Sequence, residues 1–244
     1  MMIPKWLEHA LSEEETVRIE AAVKDAESKT SAEIVPMIVH RSTLKATGDR
    51  IVFWISFGLL GVSGAISLSL LGGLDEALLD RIVSALGVWP SREMHVALSL
   101  AVETLVAAIA FLVAWLVAKL FSNSDAVHRR VFPSRDLALE TEHRAQNEFY
   151  SSDMRSTVGH TGVLLMVSML ERRAVILADA AIAAKFAPAT WTNVLNELLA
   201  AIREGRMADG YVAAIRAIGQ ELEKQFPILP DDTNELSNKL RIEE

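Results

Sequence analysis

Two stretches of the chain, Ile51 to Leu74 and Val96 to Ala118, are almost unbroken runs of apolar residues, while the segments on either side mix polar and apolar positions. The first run holds no charged residue and the second holds only Glu103. Each is longer than the ~20 residues a helix needs to cross a ~30 Å hydrocarbon core. The pattern predicts a two-helix transmembrane hairpin over 51–118, with a short interfacial helix between the spans where Leu78, Leu79, Ile82, Val83 and Leu86 fall on one side. Gly58, Gly61, Gly64 and Ala65 are the small residues that let paired membrane helices approach closely. Trp54 and Trp115 fall towards the ends that carry the chain out of the bilayer.

The flanks read as one water-soluble α/β domain split by this insertion, over residues 10–45 and 135–240, with 119–134 as a linker. Ser12 followed by Glu15 is a capping box, and it opens a helix to about Ser28 whose apolar positions are Val17, Ile19, Ala22, Val23 and Ala26. Ile34 to Val39 is a β-branched, apolar run and predicts a buried strand. Pro36 cannot donate to a ladder and points to an edge or a bulge. Beyond the hairpin, Ser134 or Asp136 caps a helix to about Tyr150, with Leu137, Leu139, Ala145 and Phe149 as its buried positions. Thr161 to Leu170, the polar turn Glu171-Arg172-Arg173 and Ala174 to Ala178 form a strand hairpin. Helices follow at about 190–204 and 208–225, and Phe226-Pro227 ends the second. Asp231, Asp232 or Asn234 would cap a last short helix with Glu235 in its first turn.

Charge and composition narrow the function. The net charge of −8 argues against a nucleic-acid partner, whose phosphates require a basic surface. The absence of cysteine excludes disulfides, thiol catalysis and Cys-ligated metal. The beginning of the given sequence has no apolar core or cleavage site of a signal peptide, so the first span is expected to direct its own insertion. Arg41, Lys45 and Arg50 precede the hairpin, and Lys119, Arg129, Arg130 and Arg135 follow it. Only Arg81 and Arg92 lie between the spans. This bias places both termini and the soluble domain in the cytoplasm, at a bacterial inner membrane.

Candidate chemistry is sparse. The six histidines are scattered, and there is neither a phosphate-loop signature nor a nucleophile elbow. Glu103 at membrane depth must face protein or stay protonated. It is read as hydrogen-bonding glue between helices or subunits, with a proton relay as the other reading. The tail Asp231-Asp232-Thr233-Asn234-Glu235 clusters hard oxygen ligands of the kind Mg²⁺ and Ca²⁺ prefer, but by spacing alone a solvated helix cap is the favoured reading. Asp179 at a strand end and Asp209 at a helix start share that ambiguity.

Several segments in order resemble the TPM domain, a family named for thylakoid and photosystem II repair proteins and a nematode receptor modulator. Ser31-Ala32-Glu33-Ile34-Val35-Pro36 resembles its opening strand. Thr161 to Leu165, Ser168 to Arg173 and Ile176 to Asp179 resemble its central strand pair. Trp191 with Asn193-Val194, Gly205 to Gly210 and Ala214-Ile215 resemble its helical half, and Phe226-Pro227 with Asn234-Glu235-Leu236 its closing segment. The resemblance implies an α/β/α sandwich, here interrupted by the transmembrane hairpin. It also implies either an accessory module that assists a membrane protein partner or its own oligomer, or a weak divalent-metal-assisted acid phosphatase. By position it implies Asp179, Asp209, Asp231, Asp232 and Asn234 as metal ligands, with Mg²⁺ favoured over Ca²⁺ in a cytoplasmic setting.

Overall fold

The structure is a computed structural model that describes residues 3–42, 134–151, 154, 157 and 159–244, together with scattered residues between 54 and 119. The chain divides into two compact units, one made of Met1–Thr43 with Phe132–Glu244 and the other of Leu44–Val131.

The first unit is built on a sheet of four strands, β1 (Glu33–Val39), β2 (Gly162–Ser168), β3 (Arg173–Ala178) and β4 (Arg241–Glu243), in the order β3-β2-β1-β4. β1 runs parallel to β2 from Glu33↔Gly162 to Val39↔Ser168, although more than a hundred residues separate them in the chain. β2 and β3 are an antiparallel hairpin. The alternation of side chains along a strand sends successive residues to opposite faces, and both faces are covered. On one side Ile34, Ile38, Val163, Leu165 and Val167 share a core with α1 (Glu13–Glu27), α4 (Thr192–Arg203) and α5 (Met207–Gln225). On the other, Val35, Met37, Val39, Leu164 and Met166 pack with Ala145 and Phe149 of α2 (Ser134–Ser151) and with Leu236. A short helix, α3 (Ala180–Ala183), follows β3.

The capping box of α1 is formed as the sequence predicts, with Ser12 and Glu15 exchanging side-chain-to-backbone bonds. Ile19, Ala22, Val23 and Ala26 are buried, whereas Val17 is exposed. In α2 the buried stripe is Leu137, Thr141, Ala145 and Phe149, one residue every fourth position. Leu139 lies about 200° around the helix from Leu137 and is exposed.

Two further expectations need correction. Pro36 sits in an interior strand. The Glu33 N–H bonds to Thr161 O at 3.1 Å, so even-numbered amides of β1 face the opposite side. There β4 pairs only with Met37–Val39, leaving no strand beside Pro36. The proline therefore occupies a locally unpaired side of an otherwise central strand. The tail forms no helix after Gln225, and its regular piece is the strand β4 instead.

Among the described residues no helix is long and apolar enough to cross a membrane. The hairpin expected over 51–118 lies largely outside them, and Glu103 and the interfacial segment do so almost wholly. What is described there includes a helical run over 104–113 whose Leu105, Val106, Ile109, Phe111, Leu112 and Val113 are all exposed. At Gly58 and Gly61 a side chain would meet none of the described residues within 4 Å.

Candidate functional site

A cleft of about 710 Å³ opens between α1, the start of β1 and the C-terminal tail, and acidic and amide side chains line it. Glu20 and Glu27 reach it from the helix, Glu33 from the strand, and Asp232, Asn234 and Asn238 from the tail. Glu20 and Glu27 lie seven positions apart on α1, two helical turns, which brings both to one face. Glu33 opens a strand whose six other residues are apolar or proline and all buried.

These carboxylates act together as a clasp. Glu33 Oε1 accepts the Glu235 N–H at 3.0 Å and its Oε2 accepts the Leu236 N–H at 3.3 Å. Glu20 accepts the Leu240 N–H at 3.3 Å. Glu27 accepts the Ile34 N–H at 2.8 Å through one oxygen and the Asn238 side-chain amide through the other. The tail is thus held along 235–240 by acids from the chain's first thirty-odd residues, and its own amides find partners without a helix. This is the physical reason the expected terminal helix is absent.

Burial shapes the chemistry of these acids. Desolvation drives the Glu27 carboxyl up to about 8, against the Ile34 N–H that favours the ionised form, and the charges of Glu33 and Asp232 push it further up. Glu33 is raised for the same first reason, with the Glu235 and Leu236 amides opposing.

The residues expected to hold metal fall into separate settings. Asp179 is buried at the end of β3, where it caps α3 by accepting the Ala180 N–H at 2.7 Å and lies 3.3 Å from His160 Nδ1. Asp209, in the first turn of α5, pairs with Arg18 at 2.6 Å. Asp231 and Asp232 lie in the turn after Pro230, and Asp232 and Asn234 line the cleft. Asn234 is bonded to Asn238 at 2.7 Å. Among the described residues no group of three or more His, Cys, Asp or Glu side chains is arranged to hold a metal ion. Asp179 serves as a cap and Asp209 in an ion pair, so of the five expected ligands Asp232 and Asn234 are the two that line the same cleft, beside Glu20, Glu27 and Glu33. Sequence reasoning missed Glu20, Glu27 and Glu33 as the centre of this site. The signal available was a carboxylate at the head of an all-apolar strand, where burial without partners would be costly.

The TPM domain family model, which carries the label TPM phosphatase, matches residues 121–221. That span covers α2, β2, β3, α3, α4 and most of α5. α1, β1 and the tail lie outside it and complete its sheet and core. No curated protein matches the chain. Among solved structures, the chain is similar to the NMR structure of the BA42 protein from the psychrophilic bacterium Bizionia argentinensis. The TM-score is 0.50 at 18% identity, over 95% of this chain and 94% of that one. A likeness at that identity speaks to the fold.

Proposed function

We propose, for a chain that carries a TPM domain, that it is a bilayer-anchored binding module which holds the domain at a membrane surface and presents it to a membrane protein partner. The observation that carries this reading is the helical run over 104–113. Its exposed Leu105, Val106, Ile109, Phe111, Leu112 and Val113, with Trp115 and Leu116 beyond, spread over well more than half of the helix circumference. A helix apolar nearly all round finds its stable environment in hydrocarbon or in the interior of an assembly. The two uncharged or nearly uncharged runs of the sequence extend the same argument to 51–118. The bias of Lys and Arg towards the outer flanks puts both termini on the cytoplasmic side of a bacterial inner membrane.

The test is flotation of the full chain with lipid vesicles, followed by topology mapping. Because the chain has no cysteine, single cysteines at Lys5 and at Ser91 can each be probed with a membrane-impermeant maleimide on intact and opened spheroplasts. The expected result is flotation, labelling of the Ser91 site in intact spheroplasts, and labelling of the Lys5 site only after opening. A chain that stays at the bottom of the gradient at high salt overturns the reading.

A second reading is a metal-assisted phosphomonoesterase, which the label of the family model and the presence of Asp232 and Asn234 in one carboxylate-lined cleft favour. Here a Mg²⁺ or Ca²⁺ ion would polarise a phosphoryl oxygen and activate water. Turnover of a chromogenic phosphomonoester that depends on added cation and is lost in Asp232→Asn would establish it. Turnover equal with chelator, or unchanged in that variant, would remove it.

A further inference from the structure

Among the described residues, the hairpin β2–β3 leaves one side of β3 without a strand. The Asp179 N–H bonds to Gly162 O at 2.8 Å, and the register runs from Val163↔Ala178 to Ser168↔Arg173. In an antiparallel ladder the two residues of a bonded pair point their N–H and C=O at each other, and the next residues point theirs away. The odd-numbered residues of β3 therefore face β2. Ala174, Ile176 and Ala178 aim their backbone donors and acceptors outward, at the end of the strand order, beyond which the described residues place no further strand. All six residues of β3 are half-buried, whereas all seven of β2 are buried.

The first half of this edge, Arg173 to Val175, is the floor of a groove of about 410 Å³ walled on one side by α2 and on the other by α4, and Ile176 and Ala178 continue the edge beyond it. Its polar lining carries three guanidinium groups against two carboxylates. Arg172 enters from the turn before β3, Arg173 from its first residue, where the guanidinium also donates to Ser134 O at 2.7 Å, and Arg203 from the last turn of α4, with Asn196 and Thr192 beside them. Of the two acids there, Glu142 is exposed, while Glu171 is buried and accepts the Ser42 N–H at 3.1 Å together with the Ser168 hydroxyl. Three arginines on one groove are a local reversal of sign in a chain of net charge −8.

We propose that this groove is the module's docking site for an extended acidic peptide segment of another protein, which adds a strand to the outer edge of β3 and lays its carboxylates against Arg172, Arg173 and Arg203. Main-chain bonds to Ala174, Ile176 and Ala178 supply affinity that is blind to sequence, and the arginines choose acidic side chains, the division of labour in strand addition. The left-handed backbone of Arg172, at φ 53°, turns the chain sharply just before the edge begins. The inference rests on the binding-module reading and names the partner class, but its test does not depend on the anchor.

The experiment uses the full chain in detergent micelles and two labelled synthetic peptides, one alternating glutamate with valine and one alternating lysine with valine. Fluorescence anisotropy is expected to show binding of the acidic peptide at least about tenfold tighter than of the basic one. Amide hydrogen exchange is expected to slow at Ala174, Ile176 and Ala178 on binding. Ala174→Pro removes an outward N–H and no bond to β2, and it should weaken the acidic peptide about tenfold, as should Arg203→Glu on the exposed rim. If Ala174→Pro also lowers the melting temperature, Arg203→Glu with the exchange pattern carries the test. Equal binding of the two peptides, binding without protection of those three amides, or no binding at millimolar peptide overturns the proposal. Flotation with failed peptide binding removes the groove and leaves the anchored module. Peptide binding without flotation does the reverse.

Discussion

Glu33 Oε1 accepts the backbone N–H of Glu235 at 3.0 Å across 202 residues of sequence, and this bond closes the domain. It joins the first strand to the last segment of the chain, with the inserted unit and the rest of the domain lying between them in sequence. Glu33→Ala would leave the amides of Glu235 and Leu236 without their acceptor, a loss of about 1–3 kcal/mol for a buried unmade bond. Chemical denaturation should show that loss, and amide exchange should quicken through 235–243 before it does elsewhere. Glu33→Gln, which keeps a carbonyl oxygen, should lose less. An unchanged exchange rate in the tail of the alanine variant would show that β4 holds itself.

Glu27 makes stability depend on pH. Its carboxyl is raised in the folded state from an ordinary 4.5 to about 8, so the folded chain keeps a proton that the unfolded chain has released. A raised pKa contributes stability that is fully present below the unfolded value and is lost as pH climbs to the folded value. Melting temperature should therefore fall between about pH 4.5 and about pH 8 on account of this group. Glu27→Gln, neutral throughout, should flatten that part of the profile and melt higher than wild type at the alkaline end. A profile of the same slope in the variant would place the titration elsewhere.

Gly219 is the point at which α5 touches α1. A Cβ there would stand 2.8 Å from the Cβ of Ala26, and one at Gly210 would stand 2.9 Å from the Cβ of Ala201 on α4. Either glycine-to-alanine change gains helix propensity but forces two helices apart, so overpacking should win by about 1–3 kcal/mol. Thermal unfolding of Gly219→Ala should show a clear loss. Pairing it with Ala26→Gly should recover part of that loss.

Tyr211 is fully buried and donates to Met37 O at 2.7 Å, tying α5 to the middle of β1. Tyr211→Phe keeps the ring and deletes the bond, and it should cost about 1–2 kcal/mol without changing the fold. An equilibrium denaturation curve with an unchanged midpoint would mean that water replaces the hydroxyl.

The first unit collects its sheet and both cores from residues on the two sides of the insertion, so it should fold without it. A chain in which 50–119 is replaced by a short flexible linker is expected to melt cooperatively and to keep the β1–β2 pairing. A broad, non-cooperative transition would show that the inserted segment supplies part of the folding free energy.

The sequence by itself determined the local elements, because their signals are local. The capping box of α1, the apolar runs of β1 and β2, the polar turn before β3 and the Phe226-Pro227 stop each act within a few residues, and each element stands where those residues place it. The need for β1 to pair with strands beyond the insertion was legible too, since a fully apolar run requires cover on both faces. Only the tertiary structure decided where Pro36 could sit, since its tolerance depends on β4 stopping at Met37. Tertiary structure also turned the tail from a helix into a strand. Its amides are satisfied by Glu20 and Glu33, whose positions relative to it no local pattern records. The same distinction runs through the acids. Asp179 and Asp209 look like ligands in isolation, but the fold gives one a helix to cap and the other an arginine to pair. A carboxylate's role is set by what faces it, and in this chain the facing group often comes from more than a hundred residues away.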